Sequence, residues 1–325
     1  MSHLLLLLVA FGLDRIIGDP PWLWRRLPHP VVVFGKAIDL LEKPLNRSTF
    51  TAEGRRLNGA VTILLLLFGS VAVGCMLSWI FDHLGLIGVL LEVIVVAVFL
   101  AQKSLGDHVQ AVADGLQREG LEGGRLAVAM IVGRDPKTLG EAGVSRAAIE
   151  SLSENFADGV VAPALWYAIA GLPGILAYKM LNTADSMIGH KNERFLDFGW
   201  ASARLDDLAN WPAARLAAGF IALAAAVRLG AGAGRRSMSV ALRDNGLHRS
   251  PNSGWPEAAM AGALDLQLAG PRVYGGVRVS EPMMHAGGRD NAGPADILRG
   301  IGVFYAACAF MAAVVALTWL AIRLL

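Results

Sequence analysis

The sequence predicts an all-α polytopic membrane protein: about five membrane-embedded helical segments, some broken or re-entrant, joined by helical cytoplasmic connectors. Three observations carry this. The 325 residues are 54% hydrophobic and only 17% charged, with a mean hydropathy of +0.49, well away from soluble composition. The apolar residues are blocked together: Gly59 to Phe81 and Ile301 to Ile322 contain no Asp, Glu, Lys or Arg. At about 1.5 Å per residue each crosses a hydrocarbon core of about 30 Å. The Lys and Arg residues, finally, gather in three connectors, the bias that orients membrane helices.

Along the chain, "HLLLLLVAFGLDRIIGD" is helical in pattern but short and carries Asp14 and Arg15. It lacks a small-residue cleavage site and reads as retained structure rather than a signal peptide. Asp14, Arg15 and Asp19 have two readings, an internally paired membrane entry or an anion site built on Arg15. His29 lies between two prolines, so its backbone is stiff, and a lone histidine of this kind is more often structural than catalytic. Gly59 to Phe81 is the first firm span, followed by a two-residue turn at Asp82-His83. Leu84 to Ala101 is interrupted only by Glu92, whose side chain must face protein or water.

After Ala101 an amphipathic helix runs to about Arg118, turns at "EGLEGG" and resumes as "RLAVAMIV" before Pro136. A second helix, Leu139 through Asp158, feeds straight into the apolar Val160 to Tyr178. That segment and Leu208 to Val227 are the weaker membrane segments, broken by Pro163, the "GLPG" at 171–174, Pro212 and Arg215. A non-helical break in a membrane must be buried in protein or face a wet cavity, and "GLPG" suits one. Ala201 to Asn210 is helical and should end near Pro212. Ile301 to Ile322 is the last span.

Seven Lys or Arg lie in 18–58, six in 102–158 and nine in 228–300, placing those connectors in the cytoplasm. The side taken by 179–207 stays open: outside if both weaker segments cross, cytoplasmic if both re-enter. No internal repeat or separable soluble part interrupts the chain, which reads as one integral-membrane catalytic domain over 1–325. Cys75 and Cys308 sit inside the firmest spans as small packing residues, excluding a disulfide scaffold or cysteine metal site. A net charge of +2 without an aromatic-interleaved basic patch gives no nucleic-acid signal. No Walker pattern, zincin helix, nucleophile elbow or dinucleotide fingerprint is present.

Polar chemistry collects where helices approach the membrane. In "AAIESLSENFADG", Glu150 and Glu154 share a helical face, with Asp158 one turn on. Stacked carboxylates repel, so the group is either a solvated acidic face or a site for a cation, and hard oxygen ligands suit magnesium. In "KMLNTADSMIGHKN", Tyr178, Asn182 and Asp185 fall on one helical face and Lys179, Thr183, Ser186 and His190 on the next. A helix so polar cannot face lipid. It is either a surface helix or the wall of a binding cavity, with Lys179 or Lys191 on phosphate and Asp185 on metal or amine. "RLDDLANWP" adds Asp206 and Asn210 on one face, as a cap and packing pair or as another wall. The last connector offers Arg243, His248, Ser250, Asn252, Arg289 and Asp290 in turn-rich loops, suited to phosphates and amides.

These segments resemble the adenosylcobinamide-phosphate synthase family, membrane enzymes of late cobalamin assembly. The likeness rests on "LDRIIGDPPWLW" and "LPHPVVVFGKAI" (Leu13 to Ile38), "RLNGA" (Arg56 to Ala60), "KSLGDHVQAV" (Lys103 to Val112) and "VGRDPKTL" (Val132 to Leu139). It continues through "ESLSENFADGVVAPALWYAIAG" (Glu150 to Gly171), the long block Tyr178 to Leu216, "RDNGLHRSPNSGWPEAAMAGAL" (Arg243 to Leu264) and "VYGG" (Val273 to Gly276). Together they cover more than half the chain in one consistent order.

The resemblance implies a carbon–nitrogen ligase that joins the propionate carboxylate of adenosylcobyric acid to an aminopropanol phosphate. ATP would drive amide formation, with the carboxylate activated as an acyl phosphate and adenosylcobinamide phosphate as product. On this expectation Glu154, Asp158 and Asp185 hold magnesium, Lys179, Lys191 and Arg243 hold phosphates, and Asp206 or His190 handles the amine proton. Arg15 is a further anion contact, and Asn182, Asn210, Ser250 and Asn252 meet the amides of the corrinoid. The resemblance also implies a multi-pass bacterial or archaeal cell-membrane location, a cytoplasmic catalytic face in one wet chamber, and association with other enzymes of the pathway. The rival reading is a polytopic transporter or sensor with a polar solute cavity, which would spread polar residues through the depth of several spans.

Overall fold

The computed structural model describes residues 2–133, 135–274, 277–279 and 281–324. Arg134 of "VGRDPKTL" and Gly275-Gly276 of "VYGG" lie outside the described residues. The described chain is helical nearly throughout: α1 (His3–Ile17), α2 (Pro21–Trp24), α3 (Pro30–Leu45), α4 (Ala52–His83), α5 (Leu86–Phe99), α6 (Gln102–Val128), α7 (Glu141–Phe156), α8 (Ala162–Ile188), α9 (Trp200–Leu229), α10 (Ala231–Asp244), α11 (Gly254–Leu264) and α12 (Pro294–Leu324). Two small antiparallel pairs, Leu268–Ala269 with Met283–Met284 and Arg272–Tyr274 with Val277–Val279, are its strands. Among the described residues five helical stretches are long and apolar enough to cross a membrane: Ala52–His83, Leu86–Val128, Glu141–Ile188, Trp200–Leu229 and Pro294–Leu324. Four of them contain an apolar segment expected from sequence, and Leu86–Val128 overlaps the fifth, Leu84 to Ala101, from its third residue on.

The chain forms two compact units, each assembled from separated stretches: 1–100 with 162–210, and 101–161 with 211–325. In the first, α4 and α8 approach so closely that a Cβ on Gly74 would lie 2.6 Å from Pro173 N. Gly171 breaks α8 with φ 62° and ψ −147°, a conformation open to glycine, and a Cβ there would meet the His3 ring at 2.8 Å. The break is therefore where "GLPG" places it. Glu92 on α5 accepts the hydroxyl of buried Tyr167 at 2.7 Å, as a carboxylate in an apolar segment requires. Phe34 of α3 stacks on Phe99 at 5.8 Å. His29 is the N-cap of α3: its Nδ1 accepts from Val31 N at 3.2 Å, with Pro30 in the first turn, and its role is structural.

In the second unit, α6 bends at Gly120 (φ 70°), where "EGLEGG" predicts a turn. Phe156 of α7 meets Phe304 of α12 edge-on at 5.5 Å. Ser237 of α10 donates to Ala259 O of α11 at 2.7 Å, and Arg236 Nε to Gly262 O at 2.7 Å. α7 continues into α8 through a π-helical turn, Ala157–Val161, which holds Asp158. Such turns are rare and frequent at functional sites.

Three expectations need correction. The helix through Ala201 to Asn210 does not stop at Pro212; α9 runs on to Leu229. Proline is tolerated within apolar spanning helices when nearby groups take up the freed backbone. The turn after the first span is Leu84-Gly85, with Gly85 at φ 57°, because α4 extends through Asp82 and His83. Cys308 is buried, but Cys75 is exposed, on the same helix as the exposed Phe68, Met76 and Trp79, and so does not pack a protein core.

Candidate functional site

In the first unit a polar cluster joins α8 to α9. Tyr178 donates its hydroxyl to Asn210 Oδ1 at 2.8 Å, and Asn210 Nδ2 donates to Asp206 Oδ2 at 2.9 Å. The i, i+4 spacing of Asp206 and Asn210 makes the second bond possible on one helix. All three side chains are buried. Asp185 and Asn182 of α8 are the neighbours that act on the Asp206 carboxyl, yet Asp206 Oδ1 is buried and meets no donor in hydrogen-bonding geometry. A carboxylate oxygen left this way beside a second carboxylate is a place for a cation or a protonated amine.

Asp185 is positioned by its own helix end. The Gly189 amide donates to Asp185 O at 2.8 Å, and a Cβ on Gly189 would collide with Asp185 Oδ1. Thr183 and Ser186 turn their hydroxyls back to Lys179 O and Asn182 O, a local satisfaction that leaves them little binding capacity. Lys179 is half-buried on α8. His190 and Lys191 lie beyond the end of α8 and are exposed, so His190 does not extend the Lys179 face as helical spacing predicted. Lys191 is near Asp207.

The segment after α8 is tied down by residues that the sequence reading passed over. Arg194 forks onto buried Glu42 of α3, with Nη2 to Oε2 at 2.9 Å and Nε to Oε1 at 3.1 Å, and Glu42 holds the guanidinium more firmly protonated than usual. Asn46 adds a donor to Glu42 at 2.9 Å, Arg55 pairs with Asp197 at 3.2 Å, and Arg56 lies over Trp200 at 3.8 Å. The signal was present as the charges of "NERFLDFGW", but their partners are more than a hundred residues away.

The second unit has its own polar set. Glu150 is buried and accepts from Ala269 N at 2.9 Å, fixing a residue with φ 61°, so it is not a solvated acidic face. Glu154 accepts from Ser253 Oγ at 3.0 Å. Ser250 Oγ accepts from the amides of Asn252 and Ser253, both at 3.3 Å, and Asn252 Oδ1 from Arg215 at 3.3 Å. Arg215 also lies over Trp211 at 4.2 Å and Trp255 at 4.9 Å. Arg243 is forked onto Asp244 through Nε at 2.6 Å and Nη2 at 2.8 Å, which draws the Asp244 carboxyl below its ordinary range. Asp244 in turn accepts from His285 N at 2.7 Å, and His285 Nε2 contacts Asp265 Oδ1 at 2.8 Å.

The structure thus brings Asp185, Asp206, Asn182 and Asn210 together in one unit, with Lys179 on the same α8, and gathers Glu154, Ser250 and Asn252 in the other, which also carries Asp158 and Arg243. Arg15 is exposed at the end of α1 in the first unit. Among the described residues no group of three His, Cys, Asp or Glu side chains is arranged for a metal ion. Magnesium needs fewer, because it takes one or two carboxylates and completes its shell with water and substrate phosphates. Asp185 and Asp206, whose buried Oδ1 lacks a donor, supply the two carboxylates of such a set.

The CobD/Cbib protein family model matches residues 7–323. The chain belongs to this family. It is 65% identical over 308 residues to the cobalamin biosynthesis protein CobD of Rhizobium meliloti strain 1021, covering 95% of this chain and 94% of the relative. To the protein of that name in Brucella suis biovar 1 it is 52% identical over 312 residues, with 96% and 95% covered. For the Rhodobacter capsulatus protein the figures are 45% over 317 residues and 98% of both chains. No solved structure matches the chain. Family membership agrees with the resemblance drawn from the motifs.

Proposed function

We propose that the protein works in cobalamin biosynthesis as an adenosylcobinamide-phosphate synthase, joining adenosylcobyric acid to an aminopropanol phosphate at the expense of ATP. The names of its relatives support the pathway. The observation that carries the reaction class is the Asp185–Asp206 pair, with one buried carboxylate oxygen unsatisfied and amides of Asn182 and Asn210 around it.

A carboxylate resists amines because its charge and resonance oppose attack. In this reading the substrate carboxylate takes the terminal phosphoryl group of ATP, releasing ADP. The amine nitrogen then bonds to the acyl carbon, inorganic phosphate leaves, and the nitrogen gives up a proton. Asp206 accepts that proton, held in orientation by Asn210 and Tyr178. Asp185 would hold positive charge beside it, either magnesium or an ammonium group, and an amine that arrives as ammonium gives a first proton to solvent before it attacks. Magnesium, when bound, would supply charge neutralisation for the transferring phosphoryl group. Lys179 and Lys191 are the cations of this unit suited to the aminopropanol phosphate, and Asn182 offers its amide to the side-chain amides of the corrinoid.

Purified protein incubated with adenosylcobyric acid, aminopropanol phosphate, magnesium and ATP, with each omitted in turn, should give adenosylcobinamide phosphate and ADP in equal amounts only in the full mixture. Product formed without ATP, or ADP released without amide, would exclude the reading.

A further inference from the structure

We propose that the first unit binds an anionic phospholipid, with an acyl chain in a groove among α3, α4, α5 and α8 and the phosphate on Arg25 and Arg26. The groove has a volume of about 530 Å³, inside the ~300–1,000 Å³ range of ligand pockets. Val33, Phe34, Leu65, Val73, Val95 and Met180 represent its walls. Its polar side chain is Ser70, whose hydroxyl already donates to Leu66 O at 2.8 Å. A polar solute would find no partner there. Leu65, Val33 and Val73 are each about half exposed, so the groove opens sideways. Its opening on α4, the apolar spanning helix, faces hydrocarbon.

The headgroup assignment comes from the groove's end. Pro28 and Pro30 line it, and Arg25 and Arg26 precede Pro28 by three and two residues, within about 12 Å along the chain. Both arginines are exposed, and neither has an ion-pair partner among the described residues, the nearby Asp19 being matched with His29 at 3.7 Å. Trp22 beside them is 59% exposed, in keeping with a segment at the level of lipid headgroups. Paired free guanidinium groups beside a hydrocarbon slot call for a negative charge attached to a chain. This inference is independent of the reaction proposed above.

The test is native mass spectrometry of the full chain in detergent, titrated with phosphatidylglycerol, phosphatidylcholine of the same acyl chains, and inorganic phosphate. Phosphatidylglycerol should be retained at roughly tenfold lower concentration than phosphatidylcholine, and phosphate alone should not be retained. Arg25→Ala with Arg26→Ala should bring phosphatidylglycerol down to the phosphatidylcholine level. Gly69→Leu should abolish retention of both lipids, because a Cβ on Gly69, a groove residue, meets no atom within 4 Å and the side chain has room to fill the slot. Equal retention of the two lipids by the unaltered chain overturns the proposal. So does a preference that survives the double arginine change, unchanged retention in Gly69→Leu, or a dimer that Gly69→Leu dissociates, which would assign the face to a second copy. Helical circular dichroism confirms that each variant is folded.

Discussion

Tyr178 and Asn210 are joined at 2.8 Å between α8 and α9, and the phenol donates. That donation fixes which end of the Asn210 amide faces Asp206. Tyr178→Phe removes it with little change in volume, so Asn210 keeps only its bond to Asp206 among the described residues and holds its amide less rigidly. Turnover should fall about tenfold while helical content holds. Asp206→Asn, which removes the proton acceptor itself, should lower turnover roughly 10²–10⁴-fold. Rate assays of amide formation check both, and full activity in Asp206→Asn would remove Asp206 from the mechanism.

Gly189 stands where a methyl group and the Asp185 carboxylate cannot both fit. Gly189→Ala should therefore act on Asp185, lowering turnover by at least about tenfold, with some loss of thermal stability because its Cβ would also press on the Asp185 carbonyl oxygen at 2.6 Å. Gly219→Ala, on α9 with no atom within 4 Å of its Cβ, is the control and should leave both unchanged.

Gly74→Ala tests the helix pair of the first unit. Its Cβ would press on the backbone of Pro173, which cannot rotate away as a side chain would. Destabilisation of about 1–3 kcal/mol is expected, read as a lower midpoint of thermal unfolding in detergent.

Arg194→Ala leaves Glu42 buried with the Asn46 amide as its remaining hydrogen bond among those described. The 189–199 segment should loosen, and limited proteolysis there should run roughly tenfold faster. Glu42→Gln should do less, since an amide retains a hydrogen bond to the guanidinium.

Acid should weaken the last connector. Arg243 holds the Asp244 carboxyl below its ordinary range, and His285 does the same for Asp265. A carboxyl with a lowered folded value contributes stability that is present above its unfolded pKa, about 4, and is lost as pH falls through the lower folded value. Unfolding midpoints measured from pH 6 downward should drop below about pH 4. Asp244→Asn and Asp265→Asn should each flatten that drop.

Much of this molecule is written in local sequence. The spanning segments follow from blocks of apolar residues, Glu92 announced a buried partner by being the one charge in its segment, and Asp206 and Asn210 announced theirs by being four apart. Gly171 was legible as a break because glycine and proline adjoin there. What stayed hidden depends on contacts distant in sequence. Nothing near Glu42 points to Arg194, and nothing near Gly189 shows that its missing side chain makes space for Asp185. Pro212 misled because local propensity ends a helix that tertiary packing carries on. The family likeness covers Glu150 and Asp206 alike, and the geometry separates Glu150, which clamps Ala269, from Asp206, whose Oδ1 meets no donor.

The two units are interleaved along the chain, and that has a consequence for synthesis. As the polypeptide leaves the ribosome, α1 to α5 emerge first, yet their partners in α8 and early α9 are made only after the whole stretch 101–161 has appeared. The order of membrane insertion and the order of assembly therefore differ. A nascent chain halted after Leu100 would hold about two thirds of a unit, with the Gly74 face of α4 awaiting a helix not yet translated.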